Sequence, residues 1–259
     1  MTAAPVFTIA IATTSSRVAA IDLAHLPADP RWHYQIFCQG DASRVPARAG
    51  ISVTELDGVG AARSRNAAVL ACETELLLFS DDDVHLMPDG LAGLINIFAD
   101  NPSLDLAAGR TVLPSGCSEK AYSADPQRLT LFNSAKVGTV ELAIRPGHVR
   151  AAGIRFDERF GAGTENAVGD EYIFIADCLR AGLTGGYWPI TVAVHAGQSS
   201  GADFASAAVT RARARVFERV FGRAMSWPVK LGFIWRHRRR FHSVNEAWTF
   251  TRMFLPLQT

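Results

Sequence analysis

Three consecutive aspartates, Asp81, Asp82 and Asp83, follow the apolar run Leu76-Leu77-Leu78-Phe79 and Ser80. A short unbroken apolar run reads as a strand buried on both faces. The aspartates then stand at its C-terminal end, where open α/β sheets bind ligands. Adjacent carboxylates repel one another, and burying them unpaired is costly. A hard divalent cation, Mg²⁺ or Mn²⁺, relieves the repulsion, held by one or two carboxylates plus substrate phosphates. A solvated loop or a helix N-cap is the plainer alternative for such a run. His195 ends a second strand-like stretch, Gly186 to Val194. Its neutral imidazole suits the same ion, and a structural histidine is the competing reading. Thr13-Thr14-Ser15-Ser16-Arg17 closes the first apolar stretch. Hydroxyls and an arginine there suit a nucleotide or phosphate, or simply cap a helix.

The elements that must position these groups alternate along the chain. Val6 to Ala12, Trp32 to Cys38, Ile51 to Leu56, Leu76 to Phe79 and Leu106 to Val112 read as strands. Gly58-Val59-Gly60 turns into a helix over Ala61 to Cys72, and Pro88-Asp89-Gly90 opens another over Leu91 to Asp100. Pro114 to Lys136 is Ser-rich and poorly periodic, hence a loop or flap, and Val137 to Arg145 reads as a further strand. Gly169-Asp170-Glu171-Tyr172 leads into a helix through Arg180 that stops at Gly182. Strands alternating with helices at this spacing imply an α/β, Rossmann-like, mostly parallel central sheet flanked by helices.

Taken in order, IAIATTSSR, GVGAARSRNAAV, LLLFSDDDV, RFDERFGAG, GDEYIFIADCLRAG and HAGQSSG resemble the family 2 glycosyltransferases of the GT-A fold. The resemblance runs from about Val6 to Gly201. It implies that Thr14 and Arg17 line a nucleotide and that Asp41 contacts its base, although Gln39 and Gly40 intervene before that acid. Arg65 and Asn66 would touch the nucleotide or its phosphates, whereas Arg63 reads as a solvated helix residue. Asp82 falls within the donor-binding motif. Asp83 would be the leading metal ligand, Asp81 would lie near the ribose or metal, and His195 would be a further ligand. Asp157 and Glu158 read as fold-supporting, Ser199 and Ser200 as part of a closing loop, and Trp188 as core or as a sugar platform.

The implied activity is transfer of a sugar, of the hexosyl type and UDP-linked, from a nucleotide-diphosphate sugar to an acceptor hydroxyl with inversion. A divalent ion offsets charge growing on the leaving diphosphate. A carboxylate must take the acceptor proton. The family order here is Glu then Asp; this chain has Asp170 then Glu171, and alignment on Leu179-Arg180-Ala181-Gly182 gives Glu171 the base position and Asp170 the partner position. Both also suit a helix N-terminus as dipole partners. A saccharide or lipid-linked saccharide acceptor, and surface polysaccharide or glycolipid synthesis, complete the expectation. The rivals are a sugar nucleotidyltransferase or other metal-dependent phosphoryl enzyme, and an inactive binding module. TTSSR is not the Gly-rich basic signature of the first, and the aspartates follow the fourth strand rather than the first, unlike a dehalogenase-type phosphatase.

Composition bounds the rest. The 259 residues are 48% hydrophobic and 20% charged, ordinary for a globular chain. No run is long and apolar enough to cross a membrane, and the N-terminus lacks a basic leader region. Four widely spaced cysteines without a CxxC pair argue against a zinc site or a disulfide framework and fit the cytoplasm. The net charge of +1 conceals an asymmetry. From Arg211 onward, eleven Lys/Arg face two acids, a charge of +9, and the remainder carries −8. Residues 1–202 are expected to form the catalytic domain, its nucleotide-binding part about 1–112 and its acceptor part about 113–202. Residues 203–259 would be a helical basic, aromatic extension, either packed on the domain or lying on the inner face of an anionic membrane. Nothing in the catalytic part supports a nucleic-acid partner.

Overall fold

The computed structural model describes residues 6–45, 48–118, 120–195, 206–240 and 244–252. The chain folds as α/β. β1 (Phe7–Thr14), β2 (Trp32–Gln39), β3 (Ile51–Leu56), α1 (Ala61–Ala71) and β4 (Leu76–Asp81) come first. β5 (Val84–Leu86), α2 (Pro88–Asp100), β6 (Leu106–Val112), β7 (Gln127–Arg128), β8 (Leu142–Ile144) and α3 (Pro146–Ala151) follow. α4 (Asp170–Arg180), β9 (Gly185–His195), α5 (Ala207–Arg236) and α6 (Val244–Arg252) complete it.

One sheet has the order β3-β2-β1-β4-β8-β6-β9-β5, with β7 paired to β9. The first four strands are parallel, while β8 inserts antiparallel between β4 and β6. β6 and β9 are again parallel, and β5 closes the far edge antiparallel to β9. Side chains alternate between two buried faces, which explains why Leu76 to Phe79 of β4 are all apolar. Leu77 and Phe79 face one core cluster with Ala62, Val69, Phe156 and Phe174. Leu76 and Leu78 face the other, with Leu91, Leu94 and Phe98 of α2. The strand ends where the apolar run gives way to carboxylate, and Asp81 stands opposite Ala12 of β1.

The expected strand over Val137 to Arg145 is mostly absent. Two short 3₁₀ turns, Ser134–Lys136 and Thr139–Glu141, precede a strand of only Leu142–Ile144. The cause is Glu141, a buried carboxylate. It accepts hydrogen bonds from Thr111 Oγ1 at 2.8 Å, Lys120 Nζ at 2.9 Å, the Tyr122 hydroxyl and the Gly138 backbone N–H at 2.7 Å. Satisfying it requires a turn, and the same bonds tie down the segment read as a loop.

α5 is helical on either side of Gly222, whose φ of 74° breaks it. Its first half lies on α4: Ala214, Val216, Phe217 and Val220 join Phe160, Tyr172, Ile173 and Ala176 in a third core cluster. No helix among the described residues is long and apolar enough to cross a membrane.

Candidate active site

The aspartates sit where β1 and β4 end side by side. Asp82 is buried and takes a hydrogen bond from Thr13 Oγ1 at 2.6 Å and another from Arg17 Nε at 3.1 Å. Arg17 Nη2 reaches both Asp82 and Asp83, the latter at 2.8 Å. The hydrogen bonds it gives to Asp83 and Asp82 hold the guanidinium above its ordinary pKa. The β5–β9 pairing sets Val84 opposite His195, which brings His195 Nε2 to 3.4 Å from Asp83 Oδ1. Burial raises the Asp81 carboxyl; Asp83 and Asp82 push the same way, and Arg65 and His195 oppose them. Part of the Asp81 side chain nonetheless reaches solvent.

A second acidic pair opens α4. Gly169 turns in the left-handed region, φ 87°, and delivers Asp170 and Glu171 into the first turn. Asp170 is buried against the guanidinium of Arg65. The other arm of Arg65 lies 3.8 Å from Asp81 Oδ1. One buried arginine therefore spans the strand-end aspartates and the helix-start acids. A Cβ on Gly161 would stand 2.7 Å from Asp170 Cγ, and φ there is +97°, so glycine alone admits this approach. Glu171 is half-buried. Burial lifts its carboxyl well above the usual carboxylate range, the Asp170 charge adds to that, and Arg65 opposes both.

The remaining candidates divide. Thr14 bonds Ser16 through its hydroxyl at 3.0 Å, beside Arg17. Asp41 is exposed past β2 and accepts the Ser43 N–H at 2.8 Å, an Asx turn. Asn66 does not face the aspartates. Its Oδ1 takes the Phe156 N–H at 2.8 Å and its Nδ2 gives to the Phe156 carbonyl at 3.0 Å, so the amide pins the Phe156-Asp157-Glu158 segment. Trp188 packs against the core on the α2 side of the sheet. Ser199 and Ser200 lie outside the described residues.

Sequence reading overlooked Gln39. It is buried, gives hydrogen bonds to the Gly60 carbonyl at 3.1 Å and Ser64 Oγ at 2.6 Å, and takes the Gly60 N–H at 2.8 Å. It thereby locks the glycine turn before α1 to the end of β2. The Ala61 N–H bonds the Ala162 carbonyl at 3.0 Å, joining that turn to the Gly161-Ala162-Gly163 segment.

No protein-family model matches the sequence, and no curated protein matches it. Solved structures do match. The crystal structure of S. aureus TarS 1–349 with UDP aligns with a TM-score of 0.61 at 16% identity, over 92% of this chain and 73% of that one. The same TarS fragment with UDP-GlcNAc aligns at 0.54 and 13%, over 94% and 80%. The mannosyltransferase PcManGT from Pyrobaculum calidifontis, with GDP-Man and Mn²⁺, aligns at 0.56 and 14%, over 96% and 74%. The fold is GT-A-like.

Asp83 and His195 are close enough to hold a divalent ion between them. Neighbouring ligands on an octahedral ion with bonds of about 2.1 Å stand about 3 Å apart, close to the 3.4 Å between Asp83 and His195. Among the described residues, no three His, Cys, Asp or Glu side chains are grouped to hold an ion by themselves. The donor set fits an ion that takes its other ligands from a diphosphate and water. Arg17 lies across Asp83 and its neighbour Asp82 and supplies positive charge to them.

Proposed function

We propose that the protein is a glycosyltransferase that moves a sugar from a nucleotide-diphosphate donor to an acceptor hydroxyl with inversion. The observation that carries the reading is the Arg65 bridge, which sets Asp81 and Asp170 within reach of one guanidinium. Diphosphate-binding and proton-accepting carboxylates must lie close together for this reaction, and the shared proximity of Asp81 and Asp170 to Arg65 supports that reading. Thr14 and Arg17 border the donor end. Asp83, Asp81 and His195 would hold Mn²⁺ or Mg²⁺, which supplies Lewis-acid stabilisation of the leaving diphosphate.

Between the two acids, Glu171 is the better base. Asp170 is buried and its carboxylate is already engaged by the Arg65 guanidinium. Glu171 is half-buried, and its environment makes its ionised form more basic. The acceptor oxygen bonds to the sugar's anomeric carbon as the bond to the diphosphate breaks, and the hydroxyl proton passes to the Glu171 carboxylate. The neighbours that bind UDP, UDP-GlcNAc and GDP-Man support a nucleotide-sugar donor.

Thermal denaturation with UDP- and GDP-sugars, each with and without Mn²⁺, tests this. A correct donor at about a hundred times its Kd adds about 2.7 kcal/mol, worth about 5 °C or more in Tm for a chain of this size. The gain should require Mn²⁺ and disappear in Asp83→Ala. A full panel that leaves Tm unmoved contradicts the reading.

A further inference from the structure

The second half of α5 is apolar on two sides: Val229, Phe233 and Ile234 pack on the third core cluster, and a second apolar stripe faces out. Beyond Gly222 the outward positions are Ala224, Met225, Pro228, Leu231, Gly232 and Trp235, and their spacing of three and four residues places them on one stripe. Met225 is 56% exposed, Leu231 53% and Trp235 73%. The inward side of the same turns holds Ser226 and Lys230, both fully buried. Burial lowers the pKa of the Lys230 ammonium, and the charge of Glu218 opposes that fall. A soluble surface helix turns its apolar stripe to the core and its lysines to water. Here a run of large apolar side chains faces out.

The stripe ends in a basic cluster. Arg236, Arg238 and Arg239 are exposed. The Arg238 guanidinium lies 5.7 Å over the Trp235 ring, and Arg252 of α6 lies 4.2 Å over Trp248, itself 48% exposed. From Arg223 to the end of the chain, seven Lys/Arg stand against one acid, Glu246.

We propose that this face docks on an anionic phospholipid surface, with Met225, Leu231 and Trp235 entering the interface and the arginines meeting headgroup phosphates. Tryptophan beside arginine at the border of an apolar stripe is the pattern that an interface with one dry and one charged layer selects. A second copy of the chain offers the same stripe and the same excess of arginines, against the single acid Glu246. A nucleic acid would satisfy the arginines and leave Met225 and Leu231 in water. The inference is independent of the reaction proposed above.

Sedimentation of the full chain with phosphatidylcholine vesicles, with and without phosphatidylglycerol, tests it. The protein should pellet with the phosphatidylglycerol vesicles and stay in solution with phosphatidylcholine alone. Arg238→Glu, an exposed change that leaves the thermal melt in place, should cut the partition coefficient about tenfold. Leu231→Glu should cut it further, and brominated acyl chains should quench emission in the wild type more than in Trp235→Phe. Equal pelleting with both vesicle types, or none with either, overturns the proposal. So does a concentration-dependent dimer that Leu231→Glu dissolves, or tighter binding to RNA than to vesicles.

Discussion

Arg65 decides the electrostatics of the cleft. A guanidinium buried among Asp170, Asp81 and Glu171 stays charged because their attraction outweighs the desolvation that opposes it. It neutralises Asp170 at contact, and Glu171 keeps the raised carboxyl. A raised carboxyl is bought with stability. In the folded chain Glu171 holds its proton over a pH range in which the unfolded chain, titrating near about 4.3, has released it. The stability tied to the neutral acid is present at and below that unfolded value and is lost as pH rises through the folded value. Glu171→Gln keeps the neutral shape at every pH. Its melting temperature should match the parent near about pH 4 and exceed it near about pH 8. A difference that stays constant with pH would show that Glu171 ionises freely. At this scale the sequence was readable where chemistry and strand ends coincide: Asp81, Asp83, His195, Asp170 and Glu171 all stand at element boundaries. Gln39 was not, because its partner Gly60 lies on another element and only the folded chain brings the two together. Asn66, expected at the nucleotide, has its amide on Phe156, a partner that only the folded chain brings near.

The helix pair α4–α5 holds the acid pair in place. Gly169 admits Val216 of α5, since a Cβ there would stand 2.6 Å from Val216 Cγ2. Arg219 of α5 bonds Asp177 of α4 at 2.6 and 3.1 Å and Asp157 at 2.9 Å. Burial works against ionised Asp157, yet Arg159 and Arg219 bring its carboxyl down to about 2. A depressed carboxyl stabilises above the unfolded value of about 3.9 and loses that contribution as pH falls toward 2. Arg219→Met should therefore cost about 2 kcal/mol at neutral pH, read by urea denaturation. The gap between variant and parent should narrow in acid as Asp157 takes a proton. An equal gap at both pH values would make Arg219 a packing residue. β4 was legible because burial on both faces forces the unbroken apolar run Leu76 to Phe79, and β1 because it is rich in β-branched residues. The 137–145 stretch was not, because the four donors around Glu141 override its β-branched composition.

Across the whole molecule, topology brings the chemistry together. β1 and β4 are neighbours although about sixty residues separate them, and their ends carry Arg17 and the aspartates. β9 returns His195 to the same end by pairing with β5. The parallel half of the sheet follows from alternating strands and helices. The antiparallel insertion of β8 leaves no periodic signature, since three buried residues set it. The basic half of the charge asymmetry lies largely on α5, where Arg215 and Arg219 pair with domain carboxylates and Arg236 faces out, and on the turn after it, where Arg238 and Arg239 face out. The most direct measurement is turnover by Glu171→Gln. With a donor identified by its Mn²⁺-dependent stabilisation, nucleoside diphosphate release and donor Kd are compared in wild type, Glu171→Gln and Asp170→Asn. The account predicts that Glu171→Gln loses at least about a hundredfold in kcat with donor Kd unchanged. Near-normal turnover in Glu171→Gln, with Asp170→Asn inactive, would contradict it.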